Sequence, residues 1–276
     1  MKAHYAGVLP EGLDTSEFDD PFSSAGWLDY CRRSARKMGI ARARYLGNPD
    51  RSIMGTALGR LCHYMTSPMV AARHFMTGAA CARHLLPVAY MMRDVWLREG
   101  RVRVLDIGGG YGDNFFELAH ALPAPLLGNL HYDVADNSQS LELGRSLYSR
   151  YKVRPSFIES ITDTYDIVLV VGTLQYIPKW RDFLEAMRAR SNRYLYVARS
   201  PIANQVDSFT TVQTVCPENT SLGKTRINVI GLHDLRHAMQ GWRACFEFAD
   251  TDYSAQFAEL PQPWRDASYY CMGWQH

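Results

Sequence analysis

The chain has 276 residues, enough for one large domain or a core domain with a substantial appendage. With 47% hydrophobic and 21% charged residues its composition is globular, which excludes broad disorder, and no apolar run approaches the ~20 residues of a membrane span. The net charge is only +2, yet residues 27–100 hold eleven Arg and one Lys against Asp29, Asp50, Asp94 and Glu99, while the first 26 residues are acidic.

In chain order, residues 1–26 read as an irregular lead-in with the turn-rich "DDPFSSAG" near its end. Residues 27–37 read as a helix, and "GNPD" (47–50) breaks the chain. From 53 to 97 the Ala-, Met-, Leu- and Arg-rich sequence reads as two or three helices punctuated at Pro68 and Pro87. The first 100 residues are therefore expected to be a helical region, serving as an acceptor lid or a dimerisation surface, ahead of a domain over 101–276.

The pattern then changes. "RVRVLDIGG" reads as a short buried strand, "GDNFFELAHAL" as an amphipathic helix stopped by Pro123 and Pro125, and "NLHYDVAD" as a strand ending in acid. "SQSLELGRSLYSRY" is helical, "RPSFIES" a third strand and "YDIVLVVGTLQY" a fourth. "WRDFLEAMRAR" is a helix, "RYLYVARSP" a fifth strand and "GLHDLRHAMQ" another helix. "ACFEFADTDYS" and "ASYYCMGW" close the chain as two β segments, suggesting an edge hairpin. Strands alternating with helices of this length predict an α/β fold, with a mostly parallel sheet covered on both faces.

The stretch "VLDIGGGYGDNFFEL" (104–118) puts four glycines into a strand–turn–helix junction, where ligands meet bare backbone. No G-K-[ST] follows, so it is not a P-loop. The dinucleotide pattern G-x-G-x-x-G fits Gly108 and Gly110, but its third position is Asp113. Asp106 and Asp113 would oppose a pyrophosphate at a helix N-terminus. A ligand with a sulfonium and an amine but no phosphate, S-adenosylmethionine (SAM), suits that loop better. Asp113 is equally accounted for as an acid in a first helical turn.

A ribose diol requires a carboxylate at the next strand end. Asp136, 24 residues past Gly112, is the candidate, whereas Asp133 lies mid-strand and reads as structural or a loop contact. Glu159 and Ser160 follow the third strand, where a base edge would lie. Gly172, Thr173, Gln175 and Tyr176 follow the fourth, at the same end of the sheet.

These residues carry a resemblance. "VLDIGGGYG", "DVADNSQSLELG", "YDIVLVVGTLQYIPKW", "RSPI" and "TVQTV" resemble class I SAM-dependent methyltransferases, above all a bacterial group whose substrate is undefined. That group shows a G-G-G loop, an acid eight residues before a helix glycine (here Asp136 and Gly144) and an "L-Q-Y-[IL]-P" turn. The resemblance covers about residues 100–275. It implies a Rossmann-like sheet of seven strands, the last antiparallel, and SAM as cofactor with S-adenosylhomocysteine (SAH) as product. It further implies that Gly108, Gly109 and Gly110 pass under the methionine part with Asp106 nearby, that Asp136 holds the ribose, and that Glu159 to Ile161, including Ser160, flank the adenine. Asn114, Asn137, Gly172 and Thr173 join this cofactor set.

The expected reaction is methyl transfer, of the EC 2.1.1 type, to an O or N atom of a small acceptor, anionic or sugar-like. An "N-P-P-[YF]" turn is absent, which counts against nucleobase and glutamine-amide acceptors. Tyr176, Gln175 and His233 are the candidate catalytic residues, and His63, His74 and His84 are further histidines that could reach the site. Arg199 and Gln213 are candidate acceptor contacts, Gln213 lying in the polar run "TTVQTV" read as a substrate-contacting insertion. Two rivals stay open: a non-catalytic SAM-fold module acting through the basic helices, and nucleic-acid methylation through the same block.

The six cysteines show neither C-x-x-C nor metal-ligand spacing and read as buried, reduced thiols, so no metal is expected. The N-terminus lacks the apolar core of a signal peptide, so a cytoplasmic protein is expected. Neither a nucleic-acid nor a membrane partner is expected, and the helical region leaves room for a homodimer.

Overall fold

The computed structural model describes residues 2–8, 20–40, 82–216, 221–250, 257 and 260–276. Most of the expected 53–97 helical segment, with His63, His74, Cys62 and Cys81, lies outside the described residues. The chain forms two compact units. One runs over 29–168; the other joins 1–28 to 169–276.

In chain order the elements are β1 (Lys2–Val8), α1 (Ala25–Met38), α2 (Leu86–Glu99), β2 (Val102–Ile107), α3 (Asp113–Ala121), α4 (Ala124–Gly128), β3 (Leu130–Ala135), α5 (Ser138–Tyr148) and β4 (Ser156–Ile158). There follow β5 (Tyr165–Val171), α6 (Trp180–Arg190), β6 (Ser191–Ala203), β7 (Phe209–Cys216), β8 (Gly223–Gly231), α7 (Leu232–Ala238), β9 (Arg243–Ala249) and β10 (Ser268–Gln275). The fold is α/β and Rossmann-like. Strands β2 to β6, β9 and β10 are the seven expected ones, and β10 is the antiparallel last strand.

Within 29–168, β2, β3 and β4 pair in parallel, with Asp106 opposite Val134 and Ile107 opposite Ala135. Every residue of β2 but Arg103 is buried, and every residue of β5 is buried, as in strands covered on both faces. Pro87 starts α2 rather than ending a helix, since a first-turn proline has no lost hydrogen bond. Gly100, at φ 71, ends α2 by donating its N–H to Trp96. The prolines at 123 and 125 likewise open the short helix α4 rather than a plain loop.

Within the other unit, β10 pairs antiparallel with both β6 and β9. Strands β7 and β8 form an antiparallel hairpin, β1 adds to β7, and β8 joins β6 through Ile202–Ile230 and Ala203–Gly231. The lead-in is thus partly a strand, and "TTVQTV" is strand β7, not a loop. Ile227, Val229, Phe257, Leu260 and Tyr269 pack as a core beside this hairpin. Burying such side chains contributes roughly 1.5–3 kcal/mol each.

Among the described residues no helix is long and apolar enough to cross a membrane. Also among them, no group of three or more His, Cys, Asp or Glu could hold a metal ion. Cys31, Cys216, Cys245 and Cys271 are free thiols.

Candidate functional site

In the 29–168 unit the glycine loop joins β2 to α3. Gly108, Gly110 and Gly112 have φ values of 69°, 57° and 87°, a region that L side chains enter at a cost. The N–H of Gly108 donates to Ala135 O (2.8 Å), tying the ends of β2 and β3 together. The N–H of Gly110 donates to Asp136 Oδ2 (2.8 Å), and that of Gly112 to Gly109 O (2.9 Å). Three loop amides are therefore engaged by the protein, one of them by a carboxylate.

Gly109 is glycine for a different reason. A Cβ there would lie 2.5 Å from Asp106 Oδ2 and 2.6 Å from Asp106 Cγ. Asp106 is fully buried beneath the loop, where its carboxyl accepts from Tyr132 Oη (2.8 Å) and Asn114 Nδ2 (3.1 Å to Oδ2). Burial pushes the Asp106 carboxyl up to about 7; the Tyr132 and Asn114 hydrogen bonds pull the other way, and Asp113 and Asp136 add to the rise. Asp106 and Asn114 thus sit under the loop as its support.

Sequence reasoning missed the partners that complete this support. Tyr148 Oη donates to Gly112 O (2.7 Å), and Phe115 packs edge-on against Tyr132 and Tyr148. Gly144, four residues before Tyr148 on α5, leaves room for Phe157: a Cβ there would meet the Phe157 ring at 2.2 Å. The glycine–tyrosine spacing of one helical turn was the available signal.

Asp136 follows β3 and is half-buried. Its Oδ1 accepts from the Asn137 N–H (2.6 Å) and from Asn137 Nδ2 (2.8 Å). Asn137 also caps α5, its Oδ1 accepting from Ser140 N (3.0 Å), so one residue starts the helix and braces the acid. Burial raises the Asp136 carboxyl, opposed by the Asn137, Gly110 and Ser140 hydrogen bonds. Asp133 is structural: its Oδ2 accepts from Tyr165 Oη (2.8 Å) and faces His131 (3.0 Å). Glu159 and Ser160 are exposed just past β4, Glu159 paired with Arg145 (3.3 Å), and Ile161 is half-buried. Helix α1 brings Cys31 close to Asp113 and Asp136; burial, reinforced by both charges, pushes its thiol up to about 12. His84 is half-buried just ahead of α2.

In the other unit, Gly172 turns the chain after β5 at φ 66 and donates its N–H to Ala198 O (2.8 Å). Gln175 Nε2 donates back to Gly172 O (2.9 Å), while the buried Gln175 Oε1 has no partner. The Thr173 hydroxyl donates to Val171 O (3.1 Å), so it serves the turn. Tyr176 Oη donates to Oε1 of the buried Gln213 (2.8 Å), and Phe22 packs edge-on against the Tyr176 ring at 4.7 Å.

Burial, with Tyr269 reinforcing it, raises the Tyr176 phenol above its ordinary value, so Tyr176 is a neutral hydrogen-bond donor. A general base needs a pKa near the working pH, which this phenol lacks. His233 stands exposed on the first turn of α7. Arg199 is half-buried on β6.

No family model and no curated protein matches the chain. Solved structures do. Magnesium protoporphyrin IX methyltransferase from Synechocystis PCC 6803, with bound SAM, is 14% identical over 95% of this chain and 100% of its own, with a TM-score of 0.46. The [4+2]-cyclase SpnF is 12% identical over 78% and 93%, with a TM-score of 0.45. The 1,6-didemethyltoxoflavin-N1-methyltransferase from Burkholderia thailandensis, with bound 1,6-didemethyltoxoflavin and SAH, is 13% identical over 78% and 88%, with a TM-score of 0.42.

Proposed function

We propose that the chain is a SAM-dependent methyltransferase that acts on an O or N atom of a small-molecule acceptor. The observation that carries this reading is the state of the glycine loop. Its Gly108, Gly110 and Gly112 amides bond to protein acceptors, so they do not form the phosphate cradle that a dinucleotide or nucleoside triphosphate uses. Asp113 and Asp136 give the loop a negative rim, which favours a cationic ligand. Asp136, at the end of β3 and braced on both oxygens, suits a ribose diol.

In this reading Gly108 to Gly110 face the amino-acid part, Asp136 and Asn137 hold the ribose side, and Glu159 to Ile161 border the base. Asp106 and Asn114 act through the loop. Gly172 and Thr173 shape the turn after β5. When bound, the cofactor supplies a methyl group already activated by its sulfonium. The protein is left with alignment and, for a hydroxyl or amine acceptor, proton removal. Tyr176 and Gln175 orient the acceptor as neutral hydrogen-bonding groups, and His233 is a histidine candidate for a base. A cytoplasmic setting and a homodimer formed through the N-terminal region belong to the same reading.

A thermal-shift panel separates the ligand classes. SAM and SAH should raise the melting temperature, and NAD and ATP should leave it unchanged. Stabilisation by NAD or ATP without stabilisation by SAH would sink the proposal.

A further inference from the structure

Among the described residues Arg199 is the one non-glycine residue with positive φ, at 52°. It is the extra residue of a β-bulge: Ala198 pairs with Cys271 and Ser200 with Tyr270, so the register shifts at Arg199. Bulges re-aim a side chain, and a long L residue held in this conformation points to a use for its position. Two further observations fall beside it. The next residue, Ser200, is fully buried, and its Oγ has no hydrogen-bond partner. The turn that bonds to Ala198, the residue before the bulge, carries Gln175, whose buried Oε1 is also unpartnered. Buried polar atoms without partners are rare in native proteins and call for an explanation. A ligand is one. The Arg199 charge also reaches the Tyr176 phenol, drawing it down against burial. Tyr176 in turn packs edge-on against Phe22, so an aromatic wall borders the same turn.

We infer that Arg199, Ser200 and Gln175 form a subsite for the carboxylate end of an acidic small-molecule acceptor, whose body lies against Tyr176 and Phe22. A guanidinium pairs with carboxylate in a bidentate geometry, and the Ser200 hydroxyl can donate to the same group. The Gln175 Oε1 takes an N–H or O–H of the acceptor. This inference rests on the methyltransferase reading, but the subsite can be tested without it.

The test is calorimetric titration of the full chain with benzoate, phenylacetate and the neutral analogue benzamide, each with and without SAH. Wild type should bind a carboxylate probe and not benzamide. Arg199→Gly accepts the same backbone conformation, so it should fold with equal or higher thermal stability and bind the carboxylate roughly 10- to 100-fold more weakly. Arg199→Asn, which also tolerates positive φ, should repeat the loss. The inference is overturned if benzamide binds as well as benzoate. It is overturned equally if neither carboxylate binds to wild type with SAH in place, or if both variants bind the carboxylate like wild type. Arg199-dependent carboxylate binding in a chain that does not bind SAH would keep the subsite and discard the methyltransferase.

Discussion

Substituting Gly109 by alanine tests whether the loop glycine is dictated from below by the protein or from above by a ligand. Gly109 has no positive φ, so an alanine there carries no backbone strain and should by itself stabilise the chain by about 0.4–1 kcal/mol through the unfolded state. The new methyl, however, would stand 2.5 Å from Asp106 Oδ2 and 3.1 Å from Oδ1. The carboxyl cannot swing aside freely, because Tyr132 and Asn114 hold it in a fully buried site. Overpacking costs about 1–3 kcal/mol, and a weakened hydrogen bond to this group adds about 1–2 kcal/mol. The net expectation is a loss of about 1–4.5 kcal/mol, read as a drop of roughly 2–15 °C in melting temperature. The assay is urea or thermal unfolding of Gly109→Ala, Asp106→Ala and the double variant. Removing the carboxyl leaves room for the methyl, so the two losses should fall short of additivity by at least about 1 kcal/mol. Additive losses, or a Gly109→Ala chain as stable as wild type, would refute the argument.

Asp106 also makes stability depend on pH. Its folded-state pKa is raised from 3.8 to about 7, so the native state holds the proton more tightly than the unfolded chain. That contribution is full below pH 3.8 and is lost as the pH rises to 7, a change of up to about 4 kcal/mol. Asp106→Asn should flatten this part of the profile relative to wild type, and parallel profiles would contradict it. Gly144→Ala gains up to about 1 kcal/mol of helix propensity. It should still lose about 1–2 kcal/mol net in unfolding titrations, because Phe157 is hemmed in by Gly112 and Tyr148; a stabilised variant would show that the ring moves freely. Tyr176→Phe leaves the buried Gln213 Oε1 without its donor, so chemical unfolding should show a loss of about 1–3 kcal/mol while SAH affinity is unchanged. A parallel fall in SAH affinity would place Tyr176 in the cofactor site instead.

Most of the alternation of apolar runs and helical patterns from 102 to 275 was legible because those elements each carry their own period. Helix α6 falls on the expected residues, and β5 is the expected buried run. The glycine loop and Asp136 were legible as a strand–turn–helix junction followed by a strand-end acid. The burial of Asp106 was not. Its hydrogen-bond partners lie far along the chain, and only the fold brings Tyr132, 26 residues on, to cover it. Strands β1, β7 and β8 were missed for a related reason. Strand β7 buries Thr211 and Gln213, polar residues that read as loop until β1 and β8 pair on either side. Arg199 was legible as a candidate acceptor contact after a strand, but its bulge was not, since a bulge depends on the register of β10, some 70 residues away. Helix α4 was hidden because its prolines read as stops, although a first-turn proline also starts helices.

The central claim is that the acid-rimmed glycine loop binds SAM. It is tested most directly by calorimetric titration of SAH into wild type and Asp136→Ala. Wild type should bind one SAH per chain. Asp136→Ala should remain folded and bind at least about 10-fold more weakly, the loss expected when a charged hydrogen-bonding partner of the ligand is removed. No SAH binding by wild type, or equal binding by Asp136→Ala, would contradict the account.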